Sequence, residues 1–195
     1  MRTAWILKEN DCVRNLIEMP ASSTQPIVVG DMRLTLVDDC ALVSVSTDAM
    51  RTAGVIELLT SMGYPLPGIE QNTGSAEQGA FWMGPHQWML WRDYRSDPDW
   101  AAEIDLQGLA ATTEQTDAWA RFDLSGSALV SVMERLCNLD SARIQTGLAT
   151  RTQIHHMGVF VVVVDAVAQI YVPRSMADSL VHAVAGAIRA NLAVA

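Results

Sequence analysis

The chain has one lysine, Lys8; its other twelve basic residues are arginines, set against 22 acidic residues. At a net charge of -9, and with no cluster of arginines larger than Arg92 and Arg95, it lacks the basic face that displaces counterions from a polyanion. Nucleic acid is therefore excluded as a partner, and so is an anionic membrane surface. Long apolar runs are also missing. The longest, Val159 to Val164, falls far short of the ~20 residues that span a bilayer as a helix. The first apolar stretch stops at Leu7, too short for the core of a secretory signal, so the expected location is the cytoplasm. Cysteine is scarce and odd in number: Cys12, Cys40 and Cys137 are widely spaced with no C-x-x-C pair, which fits reduced thiols rather than a disulfide framework or a zinc knuckle.

The signatures of chemistry are missing as well. There is no G-x-G-x-x-G or G-x-x-x-x-G-K-[ST] phosphate cradle, no G-x-S-x-G elbow and no S-x-x-K. No catalytic, cofactor-binding or metal-ligating residue is expected in this chain. His155 and His156 are adjacent in an expected strand, which sends their side chains to opposite faces and prevents them from sharing a metal. His86 lies in a Gly-Pro turn and His182 on the last helix, each alone in sequence and each read as structural or surface histidine. Cys137 ends an amphipathic helix, where a thiol usually acts as a small hydrophobe. Asp38 and Asp39 fall in an expected turn between strands.

What is present is ample apolar material. Half of the 195 residues are hydrophobic and only 18% are charged, enough to build a core. In the second half, Ala118 to Leu124 alternates as a strand. Leu129, Val132, Met133 and Leu136 then repeat at helical spacing, with Ser125 or Ser127 as cap. Three β-branched strands follow, at Thr152 to His156, Val159 to Val164 and Val167 to Val172, the middle one apolar on both faces. Ser175 to Asp178 resembles a capping box before a last helix carrying Met176, Leu180, Val184 and Ile188. The first half has the same grammar: a strand at Ala41 to Ser46, a helical stripe of Val55, Leu58, Leu59 and Met62, and a hairpin of Phe81 to Met83 with Trp88 to Arg92 about Gly84-Pro85-His86-Gln87. Asp97-Pro98 then opens a helix bearing Trp100, Ile104 and Leu109. Residues 65 to 79 read as an exposed loop. The fold class is α+β, one chain over 1–195 in which a strand-helix-strands-helix unit occurs twice, at 30–110 and 115–190.

Three of the six tryptophans, Trp82, Trp88 and Trp91, crowd the one hairpin. They are read either as a packed aromatic patch or as a partner interface.

Phe81-Trp82-Met83-Gly84-Pro85-His86-Gln87-Trp88-Met89-Leu90 resembles the W-x-G-P-x-x-W-x-L hairpin of the gamma subunits of heterotetrameric sarcosine oxidase. In the same order, Phe122 to Gly126 is similar to that family's R-L-S-G, Leu136 to Asp140 to its G-C-P-L-D, and Arg151-Thr152-Gln153 to the neighbourhood of its Q-T-R. Tyr171 to Leu180 is similar to Y-V-x-R-S-x-A-x-x-L. Asn138 and Leu136 depart from the family's proline and glycine. The resemblance implies the duplicated folate-binding fold of the aminomethyltransferases of glycine cleavage. It also implies a non-catalytic accessory subunit docked on an alpha subunit, with beta and delta in the same complex. FAD, FMN, NAD and tetrahydrofolate would be held elsewhere in that complex, with zinc in the delta subunit, and sarcosine would be oxidatively demethylated to glycine with its one-carbon unit passed to tetrahydrofolate. The alternative is a stand-alone folate-binding protein of the aminomethyltransferase or iron-sulfur maintenance superfamily, although Cys137 lacks the K-G-C-Y-x-G-Q-E setting of the latter.

Overall fold

The computed structural model describes residues 20–193 apart from 24, 76 and 94–99. The expected helix start at Asp97-Pro98 lies outside the described residues. Among the described residues eleven strands form two sheets in which every pairing is antiparallel. The six-stranded sheet runs in the order β1 (Ile27–Val29), β2 (Met32–Val37), β8 (Trp119–Ser125), β11 (Val167–Pro173), β10 (Met157–Val164), β9 (Ala149–Ile154). The five-stranded sheet runs β4 (Asn72–Gly74), β5 (Gln78–Gly84), β6 (Gln87–Asp93), β3 (Cys40–Ser46), β7 (Ala111–Glu114). The described residues also include four α-helices: α1 (Thr52–Ser61), the single turn α2 (Trp100–Glu103), α3 (Leu129–Leu136) and α4 (Ala177–Leu192).

Alternation along the strands sets the layers. In β10, Val159, Val161 and Val163 face α3 and α4, while Phe160 and Val162 face the other sheet, which is why this strand is apolar throughout. It lies inside its sheet, between β11 and β9, as its composition predicts. Val43, Val45, Ala80 and Leu90 of the five-stranded sheet meet Val55 and Leu59 of α1 with Trp100 and Ile104. Between the sheets lie Leu42, Phe81, Met89, Trp91, Ala149, Phe160, Val162 and Tyr171. The order is helices, sheet, sheet, helices.

The stretches β3-α1-β4-β5-β6 and β8-α3-β9-β10-β11 share one strand order: the first strand pairs with the fourth, the fourth with the third and the third with the second. Each sheet is then extended by a strand from the other stretch. β2, which leads into β3, pairs with β8, and β7, which leads into β8, pairs with β3. The two stretches are therefore interlocked.

Local details depart from expectation where backbone geometry or distant contacts decide. Neither Ser125 nor Ser127 caps α3, which starts after Ala128 without a side-chain cap; the Ser127 N–H instead donates to Asp31 Oδ2 at 2.7 Å. Ser175 lies in a 3-10 turn, Arg174–Met176, rather than in a capping box, and Asp178 accepts from the Ser22 hydroxyl. Leu129, Val132, Met133 and Leu136 are buried as their spacing requires, as are Leu180, Val184 and Ile188, but Met176 and Met62 stay exposed at helix ends. The segment 65–79 is not wholly exposed: Asn72–Gly74 forms β4, and Pro67 is buried with its carbonyl accepting from Trp88 Nε1 at 3.0 Å.

Candidate functional site

The tryptophan hairpin divides between two layers. Trp82 pairs with Trp88 across β5 and β6 on the helix side, and Trp91 points between the sheets with Met89. Trp88 and Trp91 are each only 6% exposed, so of the three residues expected to offer interface area Trp82 alone keeps a partly accessible ring. At the equivalent place of the other stretch, one pair inward from the last pair before the hairpin turn, stand the fully covered Val163 and Ala168. The large indoles thus fill volume that α3 and α4 fill on the other sheet.

Beside Trp91 the inter-sheet layer holds a polar group that the periodicity does not reveal. Arg121 Nε and Nη2 donate to Asp123 Oδ1 and Oδ2, both at 2.8 Å, with the guanidinium 5.7 Å from the Trp91 ring. Tyr171, fully buried, donates to Gln169 Oε1 at 3.1 Å. Arg121 and Asp123 are residues i and i+2 of one strand, so alternation puts both on the same face, a signal hidden among partly solvated strand positions. Burial pushes the Cys40 thiol up to about 11, against the opposing pull of Arg121, and burial drives the Tyr171 phenol well above its ordinary range. A thiol in that state is a poor nucleophile.

These two acids have a thermodynamic consequence. Both hold their protons to higher pH in the folded chain than in the unfolded one: the thiol's contribution is intact below about pH 9 and is lost as pH rises through about 11, and the phenol's is intact below about pH 10 and falls above it. Urea midpoints should accordingly fall from about pH 9 upward. The double variant Cys40→Ser, Tyr171→Phe should flatten that fall, and an unchanged slope would remove both groups as its source.

His155 and His156 are not strand residues. They are the two central residues of the β9-β10 turn, with φ of 44° and 70°, and both line a surface groove with His182 and Asp178 of α4. The groove gathers histidines that sequence separates, although among the described residues no three His, Cys, Asp or Glu side chains are grouped to hold a metal ion. His86, also in a turn, pairs through Nδ1 with Thr52 Oγ1 at 2.8 Å; that hydroxyl also donates to the Asp48 carbonyl, so the contact ties the hairpin to the start of α1. Cys137 bonds back to the Met133 carbonyl, and Asp140 caps the following 3-10 turn.

Two glycines, one ending a quoted motif and one just before the hairpin motif, occupy positions of backbone constraint. The Gly126 that ends Phe122 to Gly126 has φ of 135°, and a Cβ there would come within 2.5 Å of Met32 Sδ and 2.8 Å of its Cα. Gly79, at the start of the hairpin strand, would put a Cβ 2.3 Å from the Thr73 carbonyl oxygen and 2.7 Å from Trp91 Nε1.

Two antiparallel sheets packed face to face, each with helices on its outer side, define the chain as α+β with a repeated strand order. A chain of the heterotetrameric sarcosine oxidase from Corynebacterium sp. U-96, solved in complex with pyrrole 2-carboxylate, has a similar fold: TM-score 0.69 and 18% identity over 83% of this chain and 87% of that one. At that identity the likeness is one of fold. The regulatory subunit of aspartate kinase from Thermus thermophilus is a looser match, with 13% identity, 84% and 99% covered, and a TM-score of 0.40. No protein-family model matches the chain, and no curated protein does. No helix among the described residues is long and apolar enough to cross a membrane.

Proposed function

We propose that this chain is a gamma-type accessory subunit of a heterotetrameric sarcosine oxidase, with the duplicated folate-binding fold and a cytoplasmic location. The observation that carries the reading is the fold shared, over most of both chains, with a chain of the Corynebacterium enzyme. The ordered motifs around Gly84-Pro85, Gly126 and Arg174 support it from the sequence side. In this reading the chain docks on the alpha subunit, with beta and delta in the same assembly. The complex oxidatively demethylates sarcosine to glycine and passes the one-carbon unit to tetrahydrofolate. FAD, FMN, NAD, tetrahydrofolate and the delta subunit's zinc belong to the other subunits. An inter-sheet layer filled by Phe81, Met89, Trp91, Phe160 and Tyr171 suits a scaffold.

The test is purification of the tagged full chain from its native cell and, separately, on its own. The co-purified assembly should carry flavin and oxidise sarcosine, whereas the chain alone should be colourless and inactive. Stoichiometric flavin in the isolated chain, or sarcosine turnover by it, would overturn the accessory role. Tight binding of a reduced folate to the isolated chain would favour the stand-alone reading instead.

A further inference from the structure

The net charge of -9 is concentrated in one part of the chain. Residues 38–110 carry eleven acidic residues against three arginines, whereas residues 111–195 carry seven against six. The first of these spans holds the five-stranded sheet up to β6 together with α1 and α2, so most of its described acidic residues lie with that sheet and its helices. Asp48, Glu57, Glu103 and Asp105 are exposed on or beside those two helices; Asp48 is paired with Arg51 at 3.4 Å and Glu103 with Arg92 at 3.3 Å, so the free acidic character of the face rests on Glu57 and Asp105.

Apolar side chains are exposed in the same part of the chain. Met50, in the turn before α1, is 95% exposed and Ile56 39%; Ala53 and Ile56 follow at three-residue spacing on the exposed face of α1, next to Glu57. From α1 the chain enters the loop whose Pro67 carbonyl holds Trp88, and Ile69 on that loop is 76% exposed. Two residues further on, the Gln71 carbonyl accepts the Trp82 N–H at 3.1 Å, which ties the end of the Ile69 loop to β5 at Trp82. Four of the eight large hydrophobic side chains exposed among the described residues fall between positions 50 and 69.

We propose that this face, α1 with the Ile69 loop and Trp82, is where a protein partner docks, and that the partner's matching surface is basic with an apolar centre. The inference rests on the accessory-subunit reading and specifies its interface. Charge complementarity decides the occupant. A second copy of the chain would set acid against acid, which opposes association, whereas an arginine- or lysine-rich surface is steered toward it and covers the isoleucines and methionine on contact. The tryptophan hairpin then contributes at its Trp82 edge, while Trp88 and Trp91 hold the face in shape from beneath.

The experiment co-expresses the full chain with the alpha subunit of the proposed complex and measures their affinity at low and at moderate salt. Three double variants are compared: Ile56→Ser with Ile69→Ser, Glu57→Gln with Asp105→Asn, and, on the helices of the other sheet, Val130→Ser with Leu192→Ser. All six positions are at least partly exposed, and circular dichroism checks that each variant is folded. The isoleucine pair should weaken binding tenfold or more, the carboxylate pair should reduce its salt dependence, and the third pair should stay within twofold of wild type. Binding by the isoleucine pair within twofold of wild type, or loss caused by the third pair instead, overturns this interface and leaves the subunit reading standing. A wild-type homodimer abolished by the isoleucine pair overturns it in favour of a second copy. The absence of any complex with wild type overturns the subunit reading and this interface with it.

Discussion

Replacing Gly126 by valine should cost about 3 to 5 kcal/mol, the sum of backbone strain and overpacking at one site. The residue ends β8 at a φ of 135°, and the obstacles to a side chain are the Met32 Cα and the Asp31 carbonyl oxygen as well as the Met32 sulfur, so moving a side chain does not relieve the clash. The same spot joins the β1-β2 turn to the start of α3 through the Ser127 to Asp31 hydrogen bond, and displacement would break that link too. For a chain of this size the melting temperature should drop by roughly 10 °C. Gly186 provides the opposite sign. It sits in the middle of α4 with nothing near its absent Cβ, so Gly186→Ala should raise stability by about 0.5 to 1 kcal/mol. Thermal unfolding of both variants checks the pair, and equal shifts would show that the local geometry is misread.

The second large effect is expected at Trp91. Its ring fills the space between the sheets beside Gly79 and Arg121, and truncation to alanine should cost about 3 to 5 kcal/mol, in the range for large aromatic side chains removed from a core. Trp82→Ala should cost about 1 kcal/mol or less in the isolated chain, because that ring is partly solvated already. Denaturant titration of the two variants separates core from surface. Equal losses would mean that Trp82 is as firmly packed as Trp91.

These contrasts mark what the sequence could and could not reveal. Strand β10, the helical stripes of α3 and α4 and the hairpin about Pro85 and His86 are legible because one local period, or one turn signal, decides each of them. Pairing of β2 with β8 is not legible, since partners roughly 90 residues apart leave no trace in local periodicity. The His155-His156 turn is not legible because it lacks the glycine or asparagine that usually announces positive φ. The serine caps are not formed because of contacts that local sequence does not announce: the Ser127 N–H is taken by the distant Asp31, and Ser175 lies inside a 3-10 turn. Three tryptophans on the two strands of one hairpin suggest an aromatic surface, yet which rings are covered depends on what packs over each face: the other sheet over Trp91 and the Pro67 loop over Trp88.

The reciprocal exchange of β2 and β7 bears on how the chain folds as it is made. When β2 leaves the ribosome its partner β8 has not been synthesised, and at roughly 5 to 20 residues per second the wait is several seconds. During that interval the β1-β2 hairpin has one unsatisfied edge, and β3 lacks β7 until shortly before β8 appears. The nascent amino-terminal part therefore cannot complete either sheet on its own, and the two closing pairings form almost together, near the end of translation. A chain built this way depends on protection of its early edges, and an acidic first sheet supplies some of it by keeping nascent copies on one polysome apart.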